Sequence, residues 1–175
     1  MTMTPRLRKI TLITHVTSSI GWFGAVAAFL ALAVAGLTSQ DAQLVRAACL
    51  GMKLTTWFVI VPLALVSLLS GVVSSLGTGW GLFRYYWVLV KLLVTIFATI
   101  VLLVHTQPID LLATLTAGTT PFSADLQGRQ FTMVVASGAA LLILLVLTAL
   151  SVYKPEGLTP YGQRKRQDQR ALLQS

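Results

Sequence analysis

A chain of 175 residues that is 55% hydrophobic and only 10% charged, with a mean hydropathy of +0.80, lies outside the range of ordinary soluble domains. Its formal charge of +8 sits at the ends of apolar segments rather than on one basic face, which points to membrane topology and anionic lipid and not to nucleic acid. The lone cysteine, Cys49, excludes an intrachain disulfide and any CxxC redox or zinc motif.

In chain order, a basic arm over 1–9 carries Arg6, Arg8 and Lys9. The first apolar segment, 10–37, is too long for the core of a cleavable signal and exceeds the roughly 20 residues needed to span a bilayer. Residues 38–48 read as a short loop with Asp41 and Arg46. The second span, 54–76, contains Pro62, which a membrane helix tolerates when neighbours satisfy the freed carbonyl. A Gly-rich turn at 77–81 leads into the third span, 85–104. The stretch 106–129 reads as the longest connection because it holds Pro108, Gly118, Pro121 and Gly128; its apolar middle, 109–117, suits a short helix lying on the bilayer surface. The fourth span is 131–153, and 154–175 is a polar, basic tail. The expected fold is therefore all-α: an integral membrane four-helix bundle whose transmembrane domain covers 10–153.

Charge orients this bundle. Nine basic residues (Arg6, Arg8, Lys9, Arg84, Lys154, Arg164, Lys165, Arg166 and Arg170) fall on one side, against Arg46, Lys53 and Arg129 on the other. The positive-inside rule then places both termini in the cytoplasm, an N-in/C-in topology.

Orientation makes depth comparable between helices. His15 lies seven residues beyond Arg8 and Lys91 seven beyond Arg84, so each stands about 10 Å above its own basic anchor. The two ionisable side chains well inside the spans thus share one layer, and an ammonium near mid-bilayer costs roughly 2.5–3.5 kcal/mol. Thr11, His15, Ser18, Ser19 and Trp22 share a face of the first helix; Arg84, Trp87, Lys91 and Thr95 share one of the third. Ser67, Ser70, Gly71 and Ser74 make a small, polar face on the second. A simpler reading stands beside this one: Lys91 could snorkel along its apolar stem to the interface, and His15 could sit neutral against a hydroxyl. The pairs Gly21/Ala25 and Gly24/Ala28 read as helix packing.

The opposite side offers a different chemistry. Cys49, Met52, His105 and Met133 fall near one ends-of-helix layer, and soft sulfur with imidazole suits Cu(I). His105 lies roughly 21 Å beyond Lys91, so it and His15 cannot clasp one haem between them. No Asp or Glu occurs within a span and no GxSxG elbow exists, so no catalytic residue set stands out and enzymatic activity is left open.

The stretches from His15 through Gly21-Trp22-Phe23-Gly24, from Tyr86-Trp87 to Lys91-Leu92, and the closing Tyr153-Lys154-Pro155 and Pro160-Tyr161-Gly162 resemble the DUF2269 family of bacterial membrane proteins. That resemblance covers about 10–162 and implies a multi-pass protein of the bacterial cytoplasmic (inner) membrane. More distantly, the plan is similar to HemJ-type protoporphyrinogen oxidases and to the membrane domain of CopD-type copper proteins. The HemJ likeness implies haem b, with His15 as iron ligand, Lys91 and Arg84 toward the propionates, and Trp22 in the slot. The CopD likeness implies copper at Cys49, Met52, His105 and Met133. A non-catalytic protein that binds a membrane partner or a second copy of itself is the third reading. Its surroundings are the lipid bilayer and, at the cytoplasmic face, anionic lipids.

Overall fold

Thr4 stands in extended backbone ahead of Pro5, whose fixed φ and missing N–H suit the first turn of a helix, and α1 runs from there over Pro5–Thr38. The computed structural model describes residues 3–77, 85–118, 124–153, 157, 159, 160, 163, 164 and 167, with side chains at 115–118 and 124–125 left aside. A short link closes on Asp41, which accepts from the backbone N–H of Gln43 at 2.9 Å and caps α2, Ala42–Thr55. A π-helical turn, Thr56–Ile60, joins α2 to α3, Val61–Gly77. Its closing bond runs from the N–H of Val61 to the carbonyl of Thr56, one residue short of Pro62, which has no N–H to give. Then come α4, Tyr86–Gly118, and α5, Ala124–Tyr153.

Among the described residues every element is helical, and four helical stretches are long and apolar enough to cross a membrane: Pro5–Thr38, Ala42–Gly77, Tyr86–Thr114 and Leu126–Tyr153. Their outward faces carry Ile13, Phe58, Leu69, Leu93, Phe97 and Leu142 in the open. Such a surface is consistent with a multi-pass membrane protein and lipid contact.

Two expectations for connections change. Residues 38–48 are not a loop: α2 begins at Ala42, because Val45, Ala48 and Cys49 find buried places in the core. The third helix does not stop before Pro108. It carries the proline inside and continues to Gly118, and Ile109 and Leu112 are buried rather than laid on a surface. Burial of these two side chains offsets the one backbone hydrogen bond that proline cannot make. Of the expected turn at 77–81 only Gly77 is among the described residues, and most of the tail from 154 lies outside them.

Helix α1 is the central element and touches α2, α3 and α5, whereas α4 packs on α2 and α3 and less on α5. Its buried stripe, Ser18, Trp22, Ala25, Val26, Phe29, Ala33 and Gly36, repeats at helical spacing. At one end the backbone N–H of Met3 meets the carbonyl of Gly77 at 3.5 Å, and that of Tyr86 meets Gly157 at 3.1 Å. The start of α1, the ends of α3 and α5 and the start of α4 therefore share one end of the bundle, called here the terminal end. At the other end Trp57 Nε1 donates to Asp110 at 3.2 Å and Lys53 pairs with it at 3.4 Å, tying the α2–α3 rod to α4. Asp110, within the stretch that reads as a connection, is thus a residue of α4 with two partners.

Small residues act at some contacts and not at others. A side chain at Gly36 would meet Ala48 at 3.5 Å and Gln130 at 3.8 Å, whereas Gly24 has nothing within 4 Å. Gly36→Leu should destabilise the bundle by about 1–3 kcal/mol through overpacking, read as a lower melting temperature of detergent-purified protein. Gly24→Leu, pointing away from every neighbour, should leave the melt unchanged.

Candidate functional site

Three helix faces meet near the terminal end around a cavity of about 360 Å³, near the small end of the roughly 300–1,000 Å³ typical of ligand sites. Arg8, Thr11 and His15 come from α1, Ser67, Gly71 and Ser75 from α3, and Trp87, Lys91 and Thr95 from α4. Apolar walls are added by Leu12, Leu68 and Val88, and among the described residues no Asp or Glu lines the cavity. His15 and Lys91, matched in depth by sequence, line the same space.

His15 is held by α3. Its Nδ1 lies 2.9 Å from the carbonyl of Ser67 and 3.3 Å from Ser70 Oγ. A carbonyl can only accept, so Nδ1 carries the proton and the neutral ring keeps its lone pair on Nε2. Metal-binding histidines commonly fix their tautomer in this way, by donating the other ring N–H to a carbonyl. Ser70 Oγ donates in turn to Val66 O at 2.5 Å, and Ser19 and Ser67 share a hydroxyl bond of 2.7 Å, so α1 and α3 are laced over two turns. Gly71 leaves room for the ring: a Cβ there would stand 3.0 Å from His15 Cε1, and the imidazole would have to shift by a few tenths of an ångström.

Lys91 reaches the other way. Its Nζ donates to Ser151 Oγ on α5, and Ser151 Oγ donates to Leu147 O at 2.9 Å. Ser151 was not singled out from sequence. It lies three residues before Lys154, about 4.5 Å from that anchor against about 10 Å for Lys91 from Arg84, so the depth count does not pair the two backbones and the long lysine stem spans the difference. Arg8, treated from sequence only as a topology marker, is likewise a cavity residue.

The remaining expected residues divide. Trp22 does not line this cavity; seven residues beyond His15, it lies about 10 Å further along α1 and lines a second cavity instead. Arg84 lies outside the described residues. Of the soft-metal set, His105 and Met133 line the second cavity, while Cys49 and Met52 are absent from its lining and buried in the apolar core, each 1% exposed. Among the described residues no three His, Cys, Asp or Glu side chains come together as a metal site.

The described lining of the first cavity holds groups that a haem b would use: an imidazole whose Nδ1 is anchored, basic side chains, and an apolar, partly aromatic wall. Enlarging Gly71 should disturb the imidazole first. Gly71→Val should displace it from Ser67, seen as loss of the hydrogen-bonded Nδ1–H resonance of His15 in ¹⁵N-imidazole NMR, whereas Gly24→Val should leave that resonance in place.

No protein-family model, no curated protein and no solved structure matches this chain.

Proposed function

We propose that the chain crosses the bacterial cytoplasmic membrane four times, with both termini inside, and holds haem b for a redox role in the cavity shared by His15 and Lys91. The observation that carries this reading is the imidazole of His15, anchored through Nδ1 to Ser67 inside a cavity that Lys91 and Arg8 also line. Haem, when bound, supplies one-electron chemistry. The chain's own residues would divide the work of holding it. His15 would offer Nε2 to the iron, Ser67 and Ser70 would fix the ring, and Lys91 and Arg8 would face the carboxylates. Lys91 would exchange or share its bond to the neutral Ser151 hydroxyl for one in which the acceptor is charged as well.

Topology is testable first. A reporter fused after Ser175, or placed in the 77–81 turn, should be active in the cytoplasm. An external location for either would remove the membrane geometry on which the cavity's access depends.

The pigment tests the ligand. His15→Ala should abolish the Soret band of detergent-purified protein while its helicity is retained by circular dichroism. Lys91→Met keeps the stem and removes the charge, so the band should persist but haem should be lost about tenfold faster, in line with loss of a hydrogen bond to a charged group. Unmodified protein that takes up no haem on reconstitution would reject this reading, leaving His15 and Lys91 as interhelical contacts of a partner-binding membrane protein.

A further inference from the structure

The second cavity, about 330 Å³, occupies the half of the bundle away from the termini and has no part in the haem reading. It is enclosed by α1, the π-turn, α4 and α5. Phe97 and Ile143 line it and are also exposed, at 62% and 36%, so it opens sideways between α4 and α5, where α4 is least closely packed. Under the membrane reading, which this inference shares, its mouth faces acyl chains, and whatever fills it arrives from the bilayer.

The lining specifies that occupant further. Trp22, Phe29 and Phe97 present aromatic surfaces to a flat ring. Three polar side chains share the walls, and each has already committed its proton. Thr56 Oγ1 donates to Met52 O at 2.8 Å, and Ser137 Oγ to Met133 O at 2.7 Å. His105 Nδ1 stands 2.9 Å from Val101 O, an acceptor only, so the proton is on Nδ1 and the lone pair on Nε2. All three can accept. A ligand satisfying them must bring a hydroxyl of its own.

A second feature marks this place. The π-helical turn contributes Thr56 and Ile60 to the wall, and π-turns inside α-helices occur frequently at functional sites. A regular α-helix through 56–60 would present these side chains at a different angle.

We infer that this cavity binds a membrane-soluble alkyl hydroquinone in its reduced form, with the ring among Trp22, Phe29 and Phe97 and a hydroxyl donated to His105 Nε2. The oxidised quinone has the same shape but offers only carbonyls, which leaves the imidazole lone pair without a donor.

The test uses full-length protein in lipid nanodiscs, titrated with a decyl-substituted benzohydroquinone under ascorbate and, separately, with the corresponding quinone. Saturable binding should favour the hydroquinone by about tenfold, the scale of one hydrogen bond made or missed in a dry site. His105→Leu should bring hydroquinone affinity down to that of the quinone. Ala140→Leu, which fills the cavity from α5, should weaken both. Protein with and without added haem should give the same affinity for each form, which separates this site from the haem reading whichever way that falls. Equal affinity for the two forms, no saturable binding, or a His105→Leu protein that still prefers hydroquinone would overturn the proposal.

Discussion

The bond from His15 to the carbonyl of Ser67 is the constraint on which the terminal half of this bundle depends. Apolar helices can slide or rotate against one another at little cost, because one leucine contact resembles the next. A ring nitrogen that must meet one particular carbonyl removes that freedom. Ser19 on Ser67 repeats the lock a turn further on, and Lys91 on Ser151 makes the corresponding lock between α4 and α5. Interhelical hydrogen bonds of this kind average only about 0.6 kcal/mol in a membrane bundle. Their effect is on register and rotation, and it is register that turns His15 and Lys91 toward the same space.

The two halves of the molecule are built on opposite chemistry, with α1 common to both. Toward the termini the cavity joins hydroxyls and basic side chains to apolar walls; away from them the lining is mainly aromatic and aliphatic, with Thr56, Ser137 and one imidazole. His15 and Trp22 lie on one face of α1, yet each serves a different cavity. Both spaces have α4 in their walls. That helix is the least buried of the four and packs loosely on α5, so gaps are left along it. The π-turn adds to this in the second cavity by rotating Thr56 and Ile60 out of regular α-helical phase.

Four long apolar helices were legible from the sequence, because hydropathy over some 20 residues is a property of the segment and needs no partner. The shared depth of His15 and Lys91 was also legible, since rise per residue is the same in every α-helix. So was the polar face of Ser67, Ser70 and Gly71, which follows from helical periodicity alone. These are local quantities, and tertiary structure has little room to change them.

What the tertiary structure decided was every matter in which a residue's behaviour depends on what lies opposite. Proline at 108 and the polar start at 42 read as breaks, and they are helix because Ile109, Leu112, Val45 and Ala48 have a core to enter. Trp22 shares a face with His15, but only the placement of Phe29, Met133 and the π-turn assigns it to another cavity. Ser151 became the partner of Lys91 through the rotation of α5, a variable absent from any single segment. Periodicity and rise fix where a side chain stands on its own helix; which neighbour it meets is set by the packing of helices distant in sequence.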